Sequence, residues 1–199
     1  MMAPRQRLIV GISGASGAIY GIRALELARA AGVETHLVVS QAALLTLHQE
    51  LGLQKPDLAG LADVLHPAQD VGAAIASGSF RTAGMLIAPC SVRTMSEIAT
   101  GVTASLMSRA ADVVLKERRR LVLMLRETPL HLGHLRSMTA LTEAGAVIMP
   151  PVPAFYAKPA SIDEMVSHSC ARALDLFGLE TGALRRWTGL KDALAEPAP

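Results

Sequence analysis

The chain has 199 residues, of which 51% are hydrophobic, 18% charged and only 3% aromatic, and its formal net charge is +2. This length suits one domain, and the apolar content argues against disorder of the chain as a whole. Interspersed charges and few aromatic side chains argue against a nucleic-acid-binding face. The most apolar stretches, 85–90 and 144–155, are shorter than the roughly 20 residues of a membrane span, so we expect none.

Short aliphatic runs alternate with Ala- and Leu-rich stretches along the chain. Strands are predicted at 8–12, 35–39, 85–88, 121–125 and 146–149, with a weaker one near 63–65. Helices are predicted at 18–31, 41–51, 71–77, 91–100, 105–119, 129–144 and 162–177. Strands that are apolar on both faces belong in parallel sheets covered by helices. The alternation therefore predicts an α/β fold with a doubly wound parallel sheet.

The first candidate site is the glycine-rich turn at 11–17, which follows the first strand and opens a helix. Free N–H groups at a helix N-terminus can bind a phosphate. The spacing is GxxGxxG rather than the dinucleotide pattern GxGxxG, and Ser40 stands after the second strand where NAD sites carry an acid. We therefore favour a mononucleotide or a flavin over NAD. A plain strand-to-helix turn capped by Ser16 fits this motif equally well.

The segment Pro89-Cys90-Ser91-Val92-Arg93-Thr94 repeats this design after a central strand. Ser91 can cap the next helix, and Thr94 can lie within reach of the same ligand. Cys90 is more typical of a small buried thiol than of a nucleophile, because no His or Asp motif that would activate it stands nearby.

Arg126 and Glu127 follow the apolar strand at 121–125, where parallel sheets bind ligands. Arg126 could hold a phosphate, and Glu127 could transfer protons if desolvation raises its pKa. A salt bridge between the two is the alternative. The mid-helix position of Arg172 predicts burial against an anion, either Asp175 or a ligand phosphate.

His131 and His134 have the i, i+3 spacing of a metal-binding pair on a helix. No third ligand is evident in the sequence, so surface or core histidines are the better interpretation and we expect no metal site. The two cysteines are too few for a disulfide framework, and without a secretory signal we expect a cytoplasmic protein. The high apolar share also predicts a homo-oligomer.

In this order, the motifs resemble those of the UbiX-type flavin prenyltransferases, from about residue 8 to residue 190. The motifs that carry the resemblance are Ser13-Gly14-Ala15-Ser16-Gly17, Pro89-Cys90-Ser91, Arg109-Ala110-Ala111-Asp112-Val113, Leu115-Lys116-Glu117-Arg118, Arg126-Glu127-Thr128-Pro129-Leu130 and Pro151-Val152-Pro153-Ala154-Phe155-Tyr156. The resemblance implies a Rossmann-like, flavodoxin-type fold in three layers. Residues 1–199 would form one FMN-binding domain with its core at about 8–190, assembled into a dodecamer. Independently of the resemblance, we expect the tail at 196–199 to be frayed.

The activity that the resemblance implies is metal-independent transfer of a dimethylallyl group from dimethylallyl monophosphate to reduced FMN. The product, prenylated FMN, serves UbiD-type decarboxylases, for example in ubiquinone biosynthesis. Three alternatives remain open: an FMN-dependent cysteine decarboxylase, a flavin carrier without chemistry, and a short-chain NAD(P)H oxidoreductase. The first lacks its PxMNxxMW segment here, and the third lacks its TyrxxxLys motif.

Matching positions imply particular roles. The implied FMN contacts are Gly14, Ala15, Ser16, Ser40, Ser91, Val92, Arg93, Thr94 and Arg126. The implied contacts to the prenyl donor are Lys116, Arg126, Tyr156, Arg172 and Trp187, and the implied catalytic residues are Ser16, Glu50, Glu127 and Lys116. One departure concerns Ala104 and Ser105, which stand where the family often carries Asp or Asn.

Overall fold

The structure, a computed structural model, describes residues 5–187 and 189. The C-terminal tail that was predicted to be frayed lies outside these residues. Six parallel strands form one sheet: β1 Arg7–Ile12, β2 Glu34–Val39, β3 Val64–His66, β4 Gly84–Cys90, β5 Arg120–Leu125 and β6 Val147–Ile148. Their spatial order is β3-β2-β1-β4-β5-β6, so the chain reverses direction across the sheet between β1 and β4. The predicted Rossmann-like, doubly wound sheet is confirmed, and its reversal point is where such sheets bind ligands.

In the described part of the chain, six α-helices cover the sheet: α1 Ala18–Ala30, α2 Gln41–Leu51, α3 Val92–Ala99, α4 Leu106–Lys116, α5 Leu132–Glu143 and α6 Ile162–Asp175. Successive side chains of β1 point to opposite faces of the sheet. Leu8 and Val10 pack in a core with α1, α2 and α6, and Ile9 packs in a second core with α3, α4 and α5. This division produces the predicted three layers. Within the described residues, no helix is long and apolar enough to cross a membrane.

Serine side chains begin four of these helices. Ser40, Ser91, Ser105 and Ser161 each accept a hydrogen bond from a backbone N–H in the first turn, at 3.1, 3.3, 3.3 and 3.2 Å. A serine at this position satisfies one of the N–H groups that have no partner inside the helix. The caps of α2 and α3 directly follow β2 and β4, so both helices begin at the carboxyl edge of the sheet.

Two predicted helices differ from the structure. The helix predicted at 71–77 is wrong: the segment forms a single 3₁₀ turn, Ala74–Ala76, because a stretch this short between Gly72 and Gly78 cannot offset the cost of helix nucleation. The helix predicted from 129 begins at Leu132. Its cap is His131, whose Nδ1 accepts a hydrogen bond from the N–H of Gly133 at 3.0 Å.

Candidate functional site

A cavity of about 450 Å³ opens at the carboxyl edge of the sheet, around the reversal point between β1 and β4. This volume is in the range of small-molecule sites. Ten of the residues implied by the resemblance line it: Gly14, Ala15, Ser16, Ser40, Ser91, Val92, Arg93, Thr94, Arg126 and Glu127. The loops after β1, β2, β4 and β5 therefore bring together side chains that are up to 113 positions apart in the sequence (127 − 14).

The cavity wall is built largely from helix N-termini. Ser16 lies just before α1, Ser40 and Ser91 cap α2 and α3, and Ser105 caps α4. The N-terminus of a helix carries unpaired N–H groups and a partial positive charge, so it binds anionic groups. Arg126 adds a full positive charge to the same wall. The arrangement suits a phosphorylated ligand with additional polar groups.

The glycine turn packs against α2 with no room for a side chain at Gly14. A Cβ atom built there would lie 2.4 Å from the Cβ of Ala42, far inside any real contact. Gly17 adopts a positive φ of 98°, a conformation that glycine tolerates best. Both glycines are therefore needed for the turn to pass beside the cavity.

Glu50 stands beside the cavity and does not line it. Its carboxylate accepts hydrogen bonds from the N–H groups of Gly17 and Ala18, both at 2.9 Å. The side chain thus occupies the N-terminus of α1, and its negative charge faces the positive end of that helix. An anionic ligand in the cavity would accordingly bind nearer to α2, α3 and Arg126.

Two carboxylates line the cavity, and they differ in their partners. Glu97 receives a hydrogen bond from Nε of Arg93 at 2.9 Å. Glu127 accepts one from the backbone N–H of Thr128 at 3.0 Å. The salt bridge considered between Arg126 and Glu127 is not formed within the described residues. Glu127 is therefore the lining carboxylate that has no cation bound to it in this part of the chain.

Lys116 lies near the amino-terminal ends of the strands, whereas the cavity lies at their carboxyl ends. It ends α4, before β5 begins, and its Nζ donates to Oε1 of Glu117 at 2.6 Å. This hydrogen bond lowers the pKa of the Glu117 carboxyl. The six residues of β5 separate Lys116 from Arg126, a length of about 20 Å at about 3.3 Å per residue. Within one chain, Lys116 does not reach the cavity.

Tyr156, Arg172 and Trp187, which are also implied to bind the prenyl donor, lie outside the cavity lining, whereas Arg126 belongs to it. The rings of Tyr156 and Trp187 meet edge to face, with centroids 5.6 Å apart, and both side chains are about half exposed. Arg172 was predicted to be buried, and this is wrong: its side chain is 48% exposed on α6 and donates to Asp175 at 2.9 Å. Asp175 was one of the two anions considered for it.

The structure confirms the burial predicted for Cys90 and shows where His131 and His134 lie. Cys90 is fully buried, and this burial raises the pKa of its thiol to about 12, so a reactive thiolate does not form near neutral pH. His131 caps α5, and its ring stacks on that of His134 with centroids 3.6 Å apart. These histidines act at the helix end.

Several lining residues were not singled out from the sequence: Val38, Gln41, Ala42, Ala68, Gln69, Glu97 and Met107. Ala68 and Gln69 follow the short strand β3, for which the sequence pattern is weak. Glu97 lies one helical turn after Arg93, a spacing that places the two on one face. Gln41 and Ala42 could have been found because they follow the predicted Ser40 contact directly.

The fold and the cavity define a doubly wound α/β protein whose site suits a phosphorylated nucleotide or flavin. The family described as Flavoprotein matches residues 1–174. The flavin prenyltransferase UbiX of Thauera aromatica is 57% identical over 92% of this chain and 94% of its own length. UbiX of Escherichia coli K12 is 57% identical over 92% of this chain and 99% of its own. The chain therefore belongs to the Flavoprotein family, and within it to the UbiX-type flavin prenyltransferases.

Solved structures agree with this assignment. The crystal structure of AnUbiX (PadA1) in complex with FMN and dimethylallyl pyrophosphate has a TM-score of 0.91 and 49% identity, covering 94% of this chain and 99% of that one. A dodecameric FMN-dependent UbiX-like decarboxylase from Escherichia coli O157:H7 has a TM-score of 0.89 and 49% identity, with coverage of 92% and 100%. The cysteine decarboxylase TvaF, at 16% identity and a TM-score of 0.60, shares the fold alone.

Proposed function

We propose that this chain is a flavin prenyltransferase that joins the dimethylallyl group of dimethylallyl monophosphate to N5 and C6 of reduced FMN. The observation that supports this most directly is that ten positions implied by the resemblance line one cavity. In the reaction the allylic C–O bond breaks and its electron pair leaves with phosphate. Two new bonds replace hydrogens of the flavin, one of which is released as a proton while the other moves to the prenyl chain.

The lining residues fit FMN. The N-termini of α2 and α3, with the hydroxyl groups of Ser40, Ser91 and Thr94, supply donors for a phosphate and for polar ring atoms. The absence of a side chain at Gly14 lets the glycine turn pack directly against Ala42 of α2 at the cavity wall. Reduced FMN, when bound, supplies the nucleophilic ring atoms. Arg126 holds negative charge at the cavity wall as phosphate leaves.

Glu127 is the proposed proton acceptor, acting together with Ser16. Both line the cavity, and among the described residues no cation bonds to Glu127, whereas Arg93 bonds to Glu97. General-base groups typically contribute a factor of about 10²–10⁴. Glu127→Gln keeps the shape of the side chain and should lower kcat by about that factor while FMN still binds. Glu143→Gln, at the end of α5, serves as the control and should leave turnover unchanged. Wild-type turnover in Glu127→Gln would contradict this role.

The experiment that tests the overall function is a mass spectrum of the flavin. The protein is incubated without oxygen with reduced FMN and dimethylallyl monophosphate, and the bound flavin is then released and weighed. A flavin heavier by one prenyl unit is the expected product. Unmodified FMN under several conditions would refute the prenyltransferase and leave the flavin carrier as the explanation.

We further propose that the active assembly is a homo-oligomer, with a dodecamer as the specific expectation, and that Lys116 acts in the cavity of a neighbouring copy. Three observations support this. Lys116 lies at the other end of β5 from Arg126, and this six-residue strand is about 20 Å long. Phe155 and Ile162 are 72% and 79% exposed, and a relative 49% identical is described as dodecameric. Tyr156, Arg172 and Trp187, which also stand outside the cavity, would complete the donor site at the same contacts between copies.

Mixed oligomers test the shared site. Lys116→Met and Glu127→Gln each remove one function, and each variant alone should be nearly inactive. When both are produced together, some sites combine an intact Lys116 from one chain with an intact Glu127 from another. Activity well above that of either variant is expected. Mixed oligomers no more active than the single variants would show that each site is formed by one chain.

We also propose that the product passes to a UbiD-type decarboxylase and that the protein works in the cytoplasm. The resemblance supports the first point, and two buried cysteines that form no disulfide fit the second. Activation of a cofactor-free decarboxylase of that type by this enzyme and its two substrates would support the handover. Failure to activate it, with prenylated FMN present, would contradict it.

A further inference from the structure

Ser13 directly precedes Gly14, which lines the cavity, and is not itself among the lining residues. Ser13 is the first residue after β1, and it is fully buried. Its Oγ donates a hydrogen bond to the carbonyl oxygen of Pro89 at 2.9 Å and accepts one from the backbone N–H of Ser91 at 2.7 Å. The N–H of Ser13 donates to the same Pro89 oxygen at 3.2 Å. One side chain therefore joins the ends of β1 and β4.

The hydrogen bonds of Ser13 lie just beyond the last regular pair between β1 and β4. The register between β1 and β4 runs from Ile9–Met85 to Gly11–Ile87. Pro89 has no N–H to continue the ladder, and the register with β5 also shifts between Ile87 and Cys90. A side-chain hydroxyl, which can donate and accept at once, replaces the missing ladder bonds.

The residue that Ser13 holds is the cap of α3. The Oγ of Ser91 accepts from the N–H of Thr94 at 3.3 Å and donates to its Oγ1 at 3.2 Å. The N–H groups of Val92 and Arg93, in the first turn of α3, have no partner inside the helix and are available to a ligand. On the other side, the N–H of Arg126 donates to the carbonyl oxygen of Cys90 at 3.0 Å. The 89–91 segment is thus fixed from both neighbouring strands.

We propose that Ser13 is a positioning residue for the flavin site: its hydroxyl sets the orientation of Ser91 and of the first turn of α3 before the ligand binds. This inference rests on the proposed function, since it concerns the affinity for FMN. Without the hydroxyl, the buried N–H of Ser91 loses its acceptor, and the segment turns to satisfy it. Binding must then restore the geometry, which weakens affinity and leaves the chemical step unchanged once the site is filled.

The test compares Ser13→Thr with Ser13→Val, which have nearly the same shape and differ by the hydroxyl group. Ser13→Ala removes the hydroxyl without adding volume. We expect the Kd for FMN to rise about ten-fold in the Val and Ala variants relative to Thr, and kcat at saturating substrates to stay within about two-fold. The control is Thr35→Val. The buried hydroxyl of Thr35 donates to the carboxylate of Asp63 and accepts from the backbone N–H of Asp63. Thr35 stands near the start of β2, away from the cavity. This control should lower the Tm without changing the Kd.

The possible results distinguish failure of the Ser13 role from failure of the proposed function. Equal affinity in the Thr, Val and Ala variants, with wild-type protein binding FMN normally, would overturn the role of Ser13 alone. Loss of affinity in Ser13→Thr equal to that in Ser13→Val would also overturn it, because added volume would then be the cause. Wild-type protein that does not bind FMN would overturn the proposed function and this inference with it.

Discussion

Gly14→Ala offers a sharp test of how the glycine turn forms the cavity. The added Cβ would lie 2.4 Å from the Cβ of Ala42 and 3.2 Å from its carbonyl carbon. Carbon atoms in contact prefer separations of about 3.5–4.0 Å, so the turn and α2 must move apart by about 1 Å. Overpacking of this kind costs about 1–3 kcal/mol. The displaced parts are the first turn of α2 and its cap Ser40, which both belong to the cavity wall.

We therefore expect Gly14→Ala to lower the free energy of unfolding by about 1–3 kcal/mol and to weaken FMN binding. Denaturant unfolding and flavin titration measure the two effects. Gly60→Ala is the matched control, because a Cβ there meets nothing within 4 Å and the residue does not have a positive φ. A Gly14→Ala protein with the stability and flavin affinity of Gly60→Ala would refute the packing argument.

A second substitution identifies the contact that causes the loss. Ala42→Gly removes the atom nearest to the new Cβ, although Gly in the first turn of a helix costs up to about 1 kcal/mol by itself. In the double variant, the remaining close atoms of Ala42 are backbone atoms at 3.2 and 3.3 Å. We expect partial recovery, with a coupling energy of about 0.5–3 kcal/mol. Simple additivity of the two single changes would show that the clash lies elsewhere.

Two further predictions concern stability and thiol chemistry. Hydrogen bonds from Thr35 and Arg5 hold the pKa of the Asp63 carboxyl at about 2, below its usual 3.8. Because the folded pKa is the lower one, this stabilisation is present above pH 3.8 and is lost as the pH falls towards 2. Acid titration of stability should show a loss of about 1–2 kcal/mol, allowing for solvent screening, that is absent in Asp63→Asn. Burial raises the pKa of both Cys90 and Cys170 to about 12. A thiol reagent should therefore label neither cysteine in the folded protein at neutral pH and both after denaturation. Rapid labelling of the folded protein would contradict the burial.

The strands and the cavity residues next to them were predictable because they depend on local patterns. A buried aliphatic run followed by Gly, Ser or Thr marks both the strand and the ligand edge, and this pattern located the residues around Gly14 and Ser91. The helix predicted at 71–77 is wrong because only five residues separate Gly72 from Gly78. A segment this short does not offset the cost of helix nucleation, whatever its composition. The exposure of Arg172 was missed because a helix face was inferred from neighbours in sequence, whereas Asp175, one turn on, provides its partner at the surface.

Part of the cavity wall depends on strand pairing that the sequence pattern does not indicate. Ala68 and Gln69 belong to the site only because β3 pairs with β2 at the sheet edge, which brings the following loop over Val38. That pairing rests on three residues, too few to produce a clear alternating or apolar pattern. The role of Ser13 was equally hidden, because its partners Pro89 and Ser91 are 76 and 78 positions away.

We expect flavin binding to depend on the single subunit and prenyl transfer to depend on the assembly. The groups that suit FMN come from four loops of one chain and line one cavity, so we expect flavin binding to require only the folded subunit. The cation Lys116 stands at the far edge of the sheet, and Tyr156 and Trp187 stand on an exposed surface. A subunit kept from assembling should therefore bind FMN and fail to transfer the prenyl group. Dilution or interface substitutions that reduce turnover before they reduce flavin binding would follow from this division, and simultaneous loss of both would contradict it.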